Sequence, residues 1–316
     1  MVAYIVRRLL WTPVVLIIVS FATFTLGYYG PGDPMQVLMG QKNNPEVVER
    51  LRKERGLDKP FFEQYVNYVT GVVTRFDFGE SYKFTGQSVG DLIRPKIWNS
   101  VQLNLVGEVL GVTIGVVLGL LAALKQGSRW DPSIIISSLF LSSLPLFILQ
   151  PFLAVIFSRM LRLLPSSGWE PGLFGLQILS PYIIMPGFIL ALGPIGSVAR
   201  LMRASTLEVV NQDYVRTARA KGLPENAVRL WYIGRNSILP IITILGLSLA
   251  SLVEGGFIME TLFGIPGMGR LALDSFFARD YPVIMAITLI IATAYVLANL
   301  AIDIVYTFVD PRIRLG

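Results

Sequence analysis

The sequence predicts an all-α membrane protein with six transmembrane helices and a small helical insertion between the first two. Two observations carry this reading. Of the 316 residues, 53% are hydrophobic and only 15% are charged, well below the ~25% charge of soluble domains. The mean hydropathy is +0.61. Those apolar residues are also gathered into uncharged runs near the ~20 residues that a helix needs to cross the hydrocarbon core. A soluble chain of this composition would lack the polar groups to cover its surface.

The first run, Leu9 to Tyr29, follows Arg7 and Arg8. It is longer than the apolar part of a signal peptide and has no small-residue cleavage site, so it reads as a first span. Pro31-Gly32-Asp33-Pro34 is turn chemistry and ends it. Residues 30–97 are more polar. Glu46 to Arg55 reads as a charged amphipathic helix. Phe61, Phe62, Tyr65, Tyr68 and Val69 recur at helical spacing and predict a second helix, near the membrane surface.

Five more spans follow. Ile97 to Leu124 carries one charge, Glu108. Pro132 to Ser158, Pro171 to Ala199, Asn236 to Val253 and Tyr281 to Ile302 carry none, and the run from Asn236 is expected to continue past Glu254 to Met259. Pro145, Pro151, Pro186 and Pro194 fall within these spans. Membrane helices tolerate proline where neighbours satisfy the freed carbonyls.

Orientation follows from Lys and Arg in the short loops. With the N-terminus inside, the inner segments hold thirteen, including seven between Arg200 and Arg235. The short outer loops hold only Arg159, Arg162, Arg270 and Arg279. The net charge of +6 is therefore read as topology rather than as affinity for nucleic acid. The organisation expected is an inner N-terminus and first span (1–29), an outer subdomain (30–97), and a core of spans two to six (98–316) with an inner segment at 200–235.

The chain has no His and no Cys. That excludes thiolate and imidazole metal sites and Cys- or His-based catalysis. No Gly-x-x-x-x-Gly-Lys-Ser/Thr phosphate loop occurs. Gly264 to Arg270 is glycine-rich but lacks the Lys-Ser/Thr, and reads as tight turns at the outer mouth. No catalytic site, resident metal or cofactor is expected in this chain.

The inner segment is the most informative part. Asp213 to Ala220 is rich in Ala and Arg and should be helical. Gly222 suits a left-handed helix end, Pro224 the start of a new helix, and Glu225 its positive end. The expectation is helix, sharp turn, helix. Tyr214, Val215 and Ala218 would form an apolar face ringed by Arg216, Arg219 and Lys221. A plain basic loop touching anionic lipid is the simpler alternative. The apolar face at i, i+4 spacing instead favours a docking element.

This segment resembles the motif of ATP-binding-cassette importer permeases, Glu-Ala-Ala, three residues, Gly, nine residues, Ile-x-Leu-Pro. Arg216, Thr217 and Ala218 stand at the first three positions and Gly222 at the Gly. Tyr232, Ile233, Gly234 and Arg235 stand at the last four, with Ile238-Leu239-Pro240 following later. Arg216 to Leu223 looks like the variant in the first permease subunit of dipeptide and oligopeptide importers. Other features of that subfamily occur in order: Tyr4 to Leu9, Pro31 to Pro34, Gly56 to Pro60, Asp77 to Tyr82, Glu260 to Leu271, Arg279 to Pro282, Asn299 to Asp303 and Asp310 to Arg314.

The resemblance implies the type I importer fold and a multi-pass protein of a bacterial or archaeal plasma membrane, both termini cytoplasmic. It implies a second, homologous permease subunit, two cytoplasmic ATPase subunits that use ATP and Mg, and an extracytoplasmic substrate-binding protein. It places coupling to the ATPases at Asp213, Tyr214, Arg216, Ala218, Arg219 and Gly222. Ionisable groups within spans are functional suspects by default. Glu108, Glu254 and Asp303 are therefore candidates for the substrate path, with Gln102, Asn104, Gln150 and Asn299 behind them. The expected cargo is a dipeptide or oligopeptide. Short oligosaccharides, and less readily nickel, fit the same architecture. A self-sufficient secondary transporter is the rival of a different class, though no inverted repeat supports it.

Overall fold

The computed structural model describes residues 2–30, 45–54 and 56–309. The turn at 31–34 and the segment 310–314 lie outside them. Every regular element among the described residues is helical. In chain order these are α1 (Val2–Tyr29), α2 (Pro45–Glu54), α3 (Phe61–Arg75), α4 (Val89–Leu124), α5 (Trp130–Ser142), α6 (Leu146–Leu153), α7 (Ile184–Val210), α8 (Asp213–Ala220), α9 (Glu225–Ala227), α10 (Arg235–Ser237), α11 (Leu239–Ser248), α12 (Ser251–Glu254), α13 (Phe257–Phe263), α14 (Met268–Ala278) and α15 (Tyr281–Val309). Four stretches are long and apolar enough to cross a membrane, and up to six if each of two bent pairs counts as one span.

Proline sets the first bend. The run from Pro132 to Ser158, expected as one span, breaks between Ser142 and Leu146, and the two arms meet at 90°. Pro145 caps α6 with an extended backbone, ψ 121°. A proline there has no N–H to offer the preceding turn, so the helix must restart. The second bend, 40°, separates α9–α10 from α11–α12. It follows a π-helical stretch at Val228–Gly234 and coincides with Pro240 in the first turn of α11.

Three boundaries differ from the hydropathy reading. Pro171 to Ile183 forms short 3₁₀ turns, and the α-helix begins only at Ile184. It then runs past Arg200 to Val210. The helix at 251–254 stops at Glu254 because Gly255 adopts φ +79°. It therefore does not continue to Met259, and a new helix starts at Phe257.

The chain divides into two compact units. One comprises Met1–Ser100, Val253–Glu260 and Pro266–Gly316, the other Val101–Leu252 and Thr261–Ile265. In the first unit α1 packs on α15 and α3. Phe21, Phe24, Tyr28, Phe61 and Tyr65 meet mostly edge to face, with ring centroids such as Phe24–Tyr65 at 5.4 Å. Such pairs add about 0.5–1.5 kcal/mol each beyond their buried area. A second core joins Val89 and Ile93 of α4, Met268 and Leu271 of α14, and Val283, Ala286 and Ile287 of α15. The buried Asp280 carboxylate ties residues 81–83 to the start of α15. It accepts from the Ser81 hydroxyl at 2.5 Å and from the N–H groups of Tyr82 and Lys83.

In the second unit α4 lies against α7. Gly107, Gly111, Gly115 and Gly119 repeat every four residues along one face of α4. A Cβ at any of them would come within 3.0 Å of Leu190, Ala191, Pro194, Val198, Ala199 or Met202. Without water to drive association, membrane helices gain contact by such close backbone approach. Helix α5 runs antiparallel on the same partner, with Gly196 of α7 against Ser138 and Ser142. Val112, Val198, Met202 and Ile241 close the core.

Candidate functional site

Helix α7 gives way at Asn211 to α8, which begins at Asp213 as expected. Val215 and Ala218 of α8 are fully buried, packed with Val228 and Ile233 and covered by Val209 and Val210. The apolar face read from the sequence is therefore turned inward, onto the chain itself. Tyr214 does not share it and is 41% exposed. The surface left outward consists of Asp213, Tyr214, Arg216, Thr217, Arg219, Ala220 and the turn that follows.

That turn is built as the glycine required. Gly222 adopts φ +74°. Its N–H donates to the Arg219 carbonyl at 2.9 Å, and the Leu223 N–H donates to the Ala218 carbonyl at 3.4 Å. This pairing is a Schellman ending, in which a left-handed residue lets two N–H groups reach back to orphan carbonyls. Pro224 then caps α9 with ψ 136°.

Five charges of the segment are paired among themselves. Arg219 donates through Nε and Nη2 to both oxygens of Glu225, at 3.3 and 3.2 Å. Arg229 donates to the same carboxylate at 3.3 Å. Arg216 reaches Asp213 at 3.4 Å, and that pair is largely in solvent. Glu225 was read from the sequence only as favourable at the start of the new helix, and its pairing with two arginines was missed. The Glu225–Arg229 spacing of four residues was the available signal. The exposed Leu230 and Trp231 were missed as well, because a π-helical stretch does not present side chains at the 3.6-residue period.

The substrate-path candidates are not brought together. Glu108 is partly buried on α4 in the second unit, beside Gly107, and has no hydrogen-bond partner among the described residues. Glu254 is exposed in the first unit and accepts from the Tyr295 hydroxyl at 3.2 Å. Asp303 lies in α15, and its side chain falls outside the described residues.

The polar residues ranked behind them mostly serve the fold. The Gln102 side-chain oxygen accepts from the Gln177 N–H at 3.1 Å, and Asn104 donates to the carbonyls of Ser251 and Leu252. Asn299 donates to Tyr295 one turn back, and Gln150 is partly buried.

One buried acid, in the stretch Glu260 to Leu271 that carries the resemblance, has a role the sequence did not reveal. Glu260, in α13, has no exposed surface, and its carboxylate reaches the N-terminal turn of α14. It accepts from the Ser100 hydroxyl at 2.6 Å, the Gly256 N–H at 3.3 Å and the Arg270 N–H at 2.8 Å. Ser100 in turn accepts from the Met268 N–H at 2.8 Å. Gly255, Gly267 and Gly269 wrap the carboxylate so closely that a Cβ on Gly255 or Gly267 would collide with it. Of the tight turns expected at 264–270, Gly267 to Arg270 are organised around this acid, and Gly264 adopts φ +69°.

Comparison with known proteins bears on the whole chain. Residues 115–315 match the family described as binding-protein-dependent transport system inner membrane component, and residues 1–91 match the N-terminal region of such membrane components. The chain is 35% identical to the oligopeptide transport system permease protein OppB of Haemophilus influenzae, over 99% of this chain and 100% of that one. It is 38% identical to the oligopeptide transport system permease protein AppB of Bacillus subtilis, over 99% and 100%. It is 34% identical to the dipeptide transport system permease protein DppB of Bacillus subtilis, over 100% and 99%.

Proposed function

The chain belongs to the family of inner membrane components of binding-protein-dependent transport systems, and on that premise we propose that it is the permease subunit of an ATP-driven importer of dipeptides or oligopeptides. The observation that carries the reading is similarity at 34–38% identity to permeases of oligopeptide and dipeptide systems over the full length of each. Each bent helix pair counts as one span, giving six, with both termini in the cytoplasm and residues 30–97 outside. Residues 98–316 form the permease core, and segment 200–235 faces the cytoplasm.

In this reading the chain forms half of the path, and a second, homologous permease forms the other half. An extracytoplasmic binding protein delivers the peptide. ATP and Mg are used by two cytoplasmic ATPase subunits, since this chain carries no phosphate loop. The exposed side of α8 and its turn, with Tyr214, Arg216 and Gly222, meets the ATPases. Val215 and Ala218 anchor that element to the rest of the chain. Closure of the ATPases favours the outward-facing state through their differential affinity for it. Glu108, a carboxylate within a span and without a hydrogen-bond partner among the described residues, is our candidate for the path, where a peptide's amino group can meet it.

The test is uptake by the chain reconstituted with its partner permease, ATPases and binding protein in proteoliposomes. Labelled di- and oligopeptides should accumulate only with ATP and the binding protein. Accumulation driven by an ion gradient without ATP would contradict the assignment.

A further inference from the structure

Helix α7 leads from the core of the second unit to the coupling segment, and its last turns are anchored twice. At Val209 and Val210 it packs on the buried face of α8. Two turns earlier, Arg203 forks onto Asp131 at the start of α5, with Nε to Oδ1 at 2.5 Å and Nη2 to Oδ2 at 2.7 Å. Asp131 is 8% exposed and Arg203 31%. The bidentate geometry fixes both distance and orientation. Further along, Gly196 is pressed against Ser138 and Ser142 of α5. Between the two anchors, the Thr206 hydroxyl is buried and finds no hydrogen-bond partner among the described residues.

We propose that Asp131 and Arg203 are positioning residues for transport. Their pair makes α5 follow the coupling segment, so that movement of α8 reaches the bent α5–α6 arm as well as α7 itself. This rests on the permease reading above. A buried ion pair adds little net stability, while loss of one partner strands a charge. Its contribution is therefore geometric, and its absence should appear in coupling.

The experiment uses the full complex in nanodiscs and proteoliposomes. Asp131→Asn removes the acceptor charge, and Arg203→Lys keeps the charge but loses the fork. ATPase turnover and peptide uptake are measured on the same preparations. The chain has no Cys, so Ser137→Cys and Asn211→Cys supply the only thiols of this chain for a spin-label pair spanning α5 and the start of the coupling segment.

In the unmodified background the label distance should stay constant between nucleotide-free and ATP-bound states. In Asp131→Asn it should change with nucleotide. Peptide taken up per ATP hydrolysed should fall about tenfold, within the range typical of coupling between sites, with the ATPases still bound. If Asp131→Asn does not assemble, Arg203→Lys decides, with a smaller fall in the same ratio. An unchanged ratio in variants that assemble, with a constant label distance, overturns the proposal. If the unmodified chain binds no ATPase at all, it is the permease reading that fails.

Discussion

The Arg219 guanidinium spans the turn at Gly222 and holds both oxygens of Glu225, at 3.2 and 3.3 Å, so the two short helices α8 and α9 are clasped across their connection. Arg219 thus has a partner within its own chain. Reversing its charge would break the clasp as well as alter the surface. Both groups are more than 40% exposed, and exposed pairs contribute no more than about 1 kcal/mol. Glu225→Gln should therefore leave the unfolding temperature within a few degrees of the unmodified protein. With the clasp fixing the proposed docking surface, ATP-driven uptake should fall several-fold more than protein level. Thermal unfolding and uptake on one preparation check this.

Gly222 carries a sharper demand. At φ +74° a side chain costs about 1–2 kcal/mol, although a Cβ there would meet no atom within 4 Å. Gly222→Ala should therefore act through the backbone alone and weaken ATPase retention. Gly222→Asn, which tolerates the left-handed region better, should lose less. Retention of the ATPases through purification ranks the two.

The glycine face of α4 offers a test with an internal control. A Cβ on Gly111 would sit 2.5 Å from the Ala191 carbonyl oxygen, whereas one on Gly193 meets nothing within 4 Å. Gly111→Ala should destabilise by roughly 1–3 kcal/mol through overpacking, and Gly193→Ala should not destabilise. Thermal unfolding in detergent, with both variants at the same pH and lipid content, distinguishes them.

Glu260 is expected to be a stability residue. Its carboxylate collects the Ser100 hydroxyl and the N–H groups of Gly256 and Arg270. Removing it leaves those donors buried and unpaired, at about 1–3 kcal/mol each. Glu260→Ala should lower the yield of folded protein sharply. Ser100→Ala, which removes one donor and the acceptor for the Met268 N–H, should cost less. Fluorescence-detected size exclusion of the tagged variants reads both.

The helical segments that hydropathy and turn chemistry could specify were legible. Leu9–Tyr29 and Tyr281–Ile302 lie within α1 and α15, and Gly222 ended α8 where its backbone freedom was needed. The 90° break at Pro145 was not legible, because Pro151 and Pro194 lie inside helices in equally apolar surroundings. Pro171 to Ile183 is as apolar as a span, and composition does not separate 3₁₀ turns from α-helix. The inward turn of Val215 and Ala218 needed the position of Val228 and Ile233, ten or more residues on. Glu260 gave no signal because its partners are a serine far away in the chain and backbone N–H groups, which every residue has.

The exposed side of α8, at Tyr214 and Arg216, is proposed to dock the ATPase subunits. The most direct measurement is co-purification of the tagged chain from its native membrane, unmodified and as Tyr214→Ala with Arg216→Glu. Both residues are exposed, and Arg216 pairs only loosely with Asp213 at 3.4 Å, so the fold should persist. The unmodified chain should bring a second permease and the ATPases with it, and the double variant should keep the permease and lose the ATPases. Retention of the ATPases by a double variant of normal stability would contradict that docking.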